Sequence, residues 1–176
     1  RCGIGYVPED RKGAGAVLGM SIKENITLAS LKKIFRMFIN GSRETAEADK
    51  YVSYLQIKTP SIEQKVENLS GGNQQKVVIG KWLLTDSKVL ILDEPSRGID
   101  IAVKAEIYKI MNELVKQGVI VIMISSELPE ILGMSDRIIV MREGKIVACA
   151  DRNEMNQEVI MKYATGSGSD ETAHLA

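Results

Sequence analysis

Two short runs of apolar residues, Val-Leu-Ile-Leu at 89–92 and Val-Ile-Val-Ile-Met-Ile at 119–124, leave few architectures open. Between them, Val103, Ile107, Ile110 and Leu114 share one helical face, and Gly118 stands where a helix C-cap is expected. A further helix-like stretch at 73–86 precedes the first run. Apolar strands separated by helices imply a parallel sheet with helices packed against it. The expected class is α/β.

After the second run come a short helical piece at 128–134 and then residues 137–150, in which Glu143-Gly144 reads as a tight hairpin turn between two strands. Upstream, residues 3–8 are strand-like, and the glycines and charges of 9–15 suggest a mobile loop. Ser21 and Glu24 have capping-box spacing, which predicts a helix starting there and running to Met37. After a break at Asn40-Gly41, residues 42–57 read as a second helix ending near Pro60. The helical insert so formed covers roughly 20–69 of a folded domain at 1–165, and the small, polar residues 166–176 are expected to be a disordered tail.

At 176 residues the chain is long enough for one domain that buries roughly 70% of its unfolded surface without disulfides. Cys2 and Cys149 lie far apart and His174 is the only histidine, a pattern that argues against zinc and fits a reducing cytosol. Lysine plus arginine equals aspartate plus glutamate at 23 each, in no block of like charge, so no footprint for a nucleic-acid backbone is visible. The apolar runs are much shorter than the ~18 to 20 residues that span a bilayer. Any membrane role is expected to come through a partner.

Two stretches carry the chemistry. In Asn-Leu-Ser-Gly-Gly-Asn-Gln-Gln-Lys at 68–76, two glycines stand directly before a helix. That arrangement lets something approach the backbone at a helix start, where unpaired N–H groups and the positive dipole end favour an anion such as phosphate. A tight turn capped by Ser70 is the simpler alternative. Asp93 and Glu94 end the first apolar run, where open parallel sheets place their ligand sites. An aspartate there suits magnesium beside nucleotide phosphates. The adjoining glutamate can polarise a water for attack on a γ-phosphate.

Taken together, these stretches resemble the nucleotide-binding domains of ATP-binding-cassette (ABC) transporters, the first looking like the signature motif and the second like Walker B plus the D-loop. The segments at 3–12, 21–31, 69–84, 93–100 and 125–146 resemble the C-terminal half of the double-cassette ATPases of ribose, galactose and xylose importers. The resemblance covers about residues 1–165. It implies a partial P-loop NTPase fold with ATP and Mg²⁺ as cofactors. By the same resemblance Asp93 holds Mg²⁺ through water, Glu94 and Ser126 are catalytic, and Ser70, Gly71, Gly72, Gln74, Glu9 and Asp100 lie on the nucleotide.

A working cassette needs a glycine-rich phosphate cradle, G-x-x-x-x-G-K-S/T, and none of the fifteen glycines opens one. The chain is therefore expected to be a fragment that begins after the cradle and binds ATP weakly by itself. Its sheet is expected to lack the cradle strand and to leave an exposed edge or apolar face. Glu9 aligns with the Q-loop glutamine and Ser126 with the switch histidine, departures that imply a degenerate site formed by Asp93, Glu94, Glu9 and Ser126. Ser126 is equally readable as a cap of the following helix. Ser70, Gly71, Gly72 and Gln74 then complete a competent site whose cradle lies in another half.

The implied function is the ATP-hydrolysing subunit of a carbohydrate importer, peripheral at the cytoplasmic face of the inner membrane. Its implied partners are an N-terminal cassette or second ATPase half, a transmembrane sugar permease and, indirectly, a periplasmic sugar-binding protein. A non-catalytic regulatory half that supplies only the signature and a permease contact is the alternative. A soluble ABC ATPase acting on DNA or ribosomes fits the balanced charge poorly.

Overall fold

A computed structural model describes residues 3–34 and 41–167, which divide into two compact units, Arg1–Ile124 and Ser125–Ala176. In the first unit, strand β1 (Ile4–Val7) is followed by a single π-helical turn (Arg11–Gly15), helices α1 (Ile22–Leu28), α2 (Leu31–Ile34) and α3 (Gly41–Tyr54), and helix α4 (Gly71–Leu83). Strand β2 (Val89–Asp93), helix α5 (Ile101–Lys116) and strand β3 (Ile120–Ile124) complete it. The strands pair in the order β1-β2-β3, all parallel, with Tyr6 opposite Ile91 and Ile91 opposite Ile122. This is the parallel core that the alternation of apolar runs and helices implies.

One face of this sheet is packed. Gly5, Val7, Leu90 and Leu92 point inward and are buried, and a Cβ on Gly5 would lie 3.0 Å from Leu90 and 3.1 Å from the Trp82 side chain. β1 and α4 can approach this closely only because residue 5 has no side chain. The core continues into the helices through Ile22, Ile26, Leu55, Val77, Ile79 and Ile107. The opposite face is apolar and open: Ile4 is 52% and Ile120 61% exposed, and Tyr6, Ile122 and Ile124 are exposed as well.

Three segments differ from the sequence reading. Residues 11–15 form an ordered turn rather than a mobile loop, because the Asp10 carboxylate accepts from the N–H groups of Lys12 (3.1 Å) and Gly13 (2.9 Å). Backbone bonds from Gly15 N to Asp10 O (3.0 Å) and Ala16 N to Arg11 O (2.8 Å) close it. The first insert helix begins at its capping box, with Glu24 N donating to Ser21 Oγ (3.1 Å) and Ser21 N to Glu24 Oε2 (2.7 Å), but α1 stops at Leu28. The Thr27 hydroxyl donates back to the Lys23 carbonyl (2.9 Å), and a turn closed by Ser30 N on Thr27 O (2.9 Å) leads into α2. The remaining expected helix, 35–37, and the break at Asn40 lie outside the described residues. α3 ends three residues before its expected limit of 57, where Gln56 turns left-handed (φ 51°) and Ile57 N reaches back to Val52 O (2.9 Å).

The second unit holds helix α6 (Leu128–Met134), strands β4 (Arg137–Arg142) and β5 (Lys145–Asp151), and helix α7 (Gln157–Thr165). β4 and β5 are an antiparallel hairpin, and both turn residues, Glu143 (φ 51°) and Gly144 (φ 76°), are left-handed as a two-residue turn demands. Ile138, Val140 and Ala148 from the hairpin pack with Met155 and Ile160 into a small core. The sequence reading did not identify α7. Its signals are an Asn156 cap that accepts from Val159 N (2.9 Å) and a left-handed Gly166 (φ 76°) at its end.

Candidate nucleotide-side site

The paired glycines open α4 with Ser70 as N-cap residue. Neither has positive φ, so the demand for glycine here is one of space. A Cβ on Gly72 would fall under 3.0 Å from Val103 Cγ1 of α5, and one on Gly71 would lie 2.8 Å from the Arg11 guanidinium. Ser70 does not cap the helix with its side chain; its Oγ accepts from Asn73 Nδ2 (3.0 Å) instead. Ser70 is exposed and Gly71 half-exposed, so the start of α4 is reachable from outside. Gly72 and Gln74 are buried, and Gln74 Nε2 donates to the carbonyls of Val66 (3.1 Å) and Leu69 (3.2 Å). Its amide thus fastens the turn that leads into α4.

Asp93 and Glu94 close β2. Tyr6 on β1 donates from its hydroxyl to Asp93 Oδ2 (2.8 Å). That bond, slight burial and the charges of Asp93 and Glu9 push the Tyr6 phenol above its ordinary range. Glu94 is half-buried with a left-handed backbone (φ 46°), and its N–H donates to the Ile124 carbonyl (2.9 Å). Asp100 is the N-cap residue of α5, its carbonyl accepting from Val103 N and Lys104 N (2.9 Å each). Its carboxylate makes no cap bond and so sits as an exposed negative charge at a positive helix end.

Glu9 forms an exposed ion pair with Arg97, in the segment between Glu94 and Asp100. Arg11, which sequence reasoning did not single out, donates from Nη1 to the Arg97 carbonyl (3.1 Å) while its Nη2 lies beside Gly71. One guanidinium, carried by the turn after β1, therefore reaches both the start of α4 and the segment after β2. Nothing in the local sequence reveals this, since the partners stand 60 to 86 positions away. Ser126 stands near the start of the second unit and is exposed. The N-cap residue of α6 is Glu127, whose side chain makes no cap bond; the neighbouring Ser125 accepts at its Oγ from Glu127 N (3.0 Å) and bonds to the buried Glu130 carboxylate.

Among the described residues no three His, Cys, Asp or Glu side chains are grouped to hold a metal ion. Magnesium does not require such a cage: it takes one or two carboxylates and completes its shell with water and phosphate oxygens. Asp93, with one oxygen engaged by Tyr6, fits that contribution. No helix among the described residues is long and apolar enough to cross a membrane.

The family model described as "ABC transporter" matches residues 1–97. The chain is 58% identical over 164 residues to the xylose import ATP-binding protein XylG of Moorella thermoacetica, covering 93% of this chain and 32% of that protein. It is 53% identical over 166 residues to the ribose import ATP-binding protein RbsA of Clostridium perfringens, covering 93% and 33%. The chain thus spans about a third of the length of these relatives. A solved post-hydrolysis dimer of the ATP-binding cassette MJ0796, bound to ADP and Pi, superposes with a TM-score of 0.72 at 21% identity, over 85% of this chain and 62% of that one. That likeness gives the fold, an incomplete cassette with a parallel core and helical insertions, and the match over more than half the sequence gives the lineage: the chain belongs to the ABC transporter family.

Proposed function

We propose that this chain is the cradle-less part of the C-terminal cassette of a sugar-import ATPase, and that its two nucleotide-side clusters serve different ATP molecules. The observation that carries the reading is the pair of sites on one unit: an α4 start accessible at Ser70 and Gly71, with Gly72 buried behind them, and a carboxylate pair at the end of β2. The relatives named for xylose and ribose import support carbohydrate as the cargo. A transmembrane permease and a periplasmic sugar-binding protein are then its partners, and the cytoplasmic face of the inner membrane its place.

In this reading the N–H groups at the α4 start and the Ser70 hydroxyl stabilise the γ-phosphate of an ATP bound mainly by the other cassette. Gln74 supports that turn from within. Asp93 meets Mg²⁺ through a water, and Glu94 accepts a proton from the attacking water of the second, degenerate site. Glu9 and Asp100, carried by the same unit, complete its surroundings. Magnesium supplies charge neutralisation on the phosphates when bound.

Equilibrium titration of the isolated chain with Mg-ATP tests the division of labour. No detectable binding is expected; micromolar affinity, about −8 kcal/mol, would mean that a cradle exists in the chain and would overturn the trans assignment. The regulatory alternative draws on the serine at 126, which cannot make the charged or proton-sharing contact of an imidazole, and on the glutamate at 9, which adds negative charge near a triphosphate. Glu94→Gln in the whole ATPase separates the two readings. A lower hydrolysis rate supports a working carboxylate, and an unchanged rate favours a half that only completes its neighbour's site.

A further inference from the structure

Side chains of alternate residues on a strand share a face, so Ile4 and Tyr6 on β1 and Val89, Ile91 and Asp93 on β2 point to the same side of the sheet. Tyr6 sits opposite Ile91, and its long ring extends along the strand direction to reach Asp93, where its hydroxyl donates to Oδ2 at 2.8 Å. On the far side of β2 the residue paired with Asp93 is Ile124, which offers the carboxylate no polar atom. The two polar tips of an otherwise apolar sheet face are thus matched to each other.

We propose that Tyr6 is a positioning residue for the magnesium site: its hydroxyl holds one oxygen of Asp93 and so turns the other toward the metal's water. This rests on the role of Asp93 proposed above. The terminal torsion of an aspartate is broad and two-fold, so an unrestrained carboxylate presents either oxygen over a range of angles. A phenol removes that freedom without removing the charge. A lysine or arginine in its place would compete with Mg²⁺ for the carboxylate. Partners that orient a metal-binding group in this way carry effects of about tenfold to a hundredfold on affinity. Because Asp93 acts through water, the lower end applies.

The test uses the whole ATPase with bound nucleotide, Mn²⁺ in place of Mg²⁺, and electron paramagnetic resonance to count bound metal. Asp93→Asn first identifies which metal equivalent belongs to this site. Tyr6→Phe keeps the ring and loses only the hydroxyl, and Tyr6→Met loses both. Both are expected to weaken that equivalent about tenfold, with metal-free nucleotide affinity unchanged. If Asp93→Asn weakens the site while Tyr6→Phe leaves it unchanged or tighter, positioning by the hydroxyl is wrong and the Asp93 assignment stands. Loss in Tyr6→Met alone would likewise overturn the proposal, because ring packing would then be the cause. If Asp93→Asn changes no metal equivalent, the Asp93 assignment falls and Tyr6 with it.

Discussion

Gly72 and Gly71 are adjacent and both crowded, yet they differ in what crowds them. Beside Gly72 stands Val103, a β-branched residue fixed on α5, whereas Gly71 faces the far end of the Arg11 side chain. A methyl group at 72 must push two helices apart; one at 71 needs only a guanidinium to swing aside. Gly72→Ala is therefore expected to destabilise the first unit by about 1–3 kcal/mol, and Gly71→Ala by clearly less. The pair is measured by urea midpoints, and Val103→Ala placed in the Gly72→Ala background should recover part of the loss. The sequence showed that glycine was needed at this helix start but offered phosphate approach as the reason. The partner that excludes a side chain stands on another helix, and only the folded chain brings Val103 to Gly72.

Lys76 ties three elements together. Its side chain is 2% exposed, and its ammonium donates to Glu106 Oε2 on α5 (2.7 Å) and to the Gln56 carbonyl in the turn after α3 (3.1 Å). Glu106 is 35% exposed, so the two partners do not respond equally to losing each other. Glu106→Gln leaves a buried ammonium with a weaker partner and is expected to destabilise by about 1–3 kcal/mol; Lys76→Met leaves a carboxylate that water can reach and costs less. The hydrogen bond from Lys76 holds the Glu106 carboxyl below the usual range. A depressed folded-state value means that this contribution is complete above about pH 4.5 and is lost as pH falls through the lowered value. The acid limb of stability should therefore flatten in Glu106→Gln, as followed by chemical denaturation at a series of pH values. Elements whose cause is local were legible in advance: the Ser21–Glu24 capping box, the Glu143-Gly144 hairpin and the apolar strands. The π-helical turn at Asp10, the early end of α1 at Thr27 and the tie at Lys76 were not, because each depends on a side chain choosing one backbone partner among several.

Taken whole, the first unit carries a parallel sheet with only one face packed. Parallel sheets are ordinarily covered on both, and here Ile4, Ile120, Ile122 and Ile124 stand in solvent. The isolated chain is expected to self-associate through this face, with a weight-average mass that rises with concentration in light scattering. Ile120→Lys with Ile122→Glu should shift it toward monomer without changing its helix content. A mass that stays monomeric at high concentration would count against the idea. The open face also bears on heat and cold. Apolar surface already wet in the native state adds nothing to the heat capacity of unfolding, so a monomer of this chain should show a flatter stability curve than its length implies. Once copies cover one another, unfolding must also separate them, and the melting temperature climbs with protein concentration. For such a chain a single melting temperature describes a sample at one dilution rather than the fold.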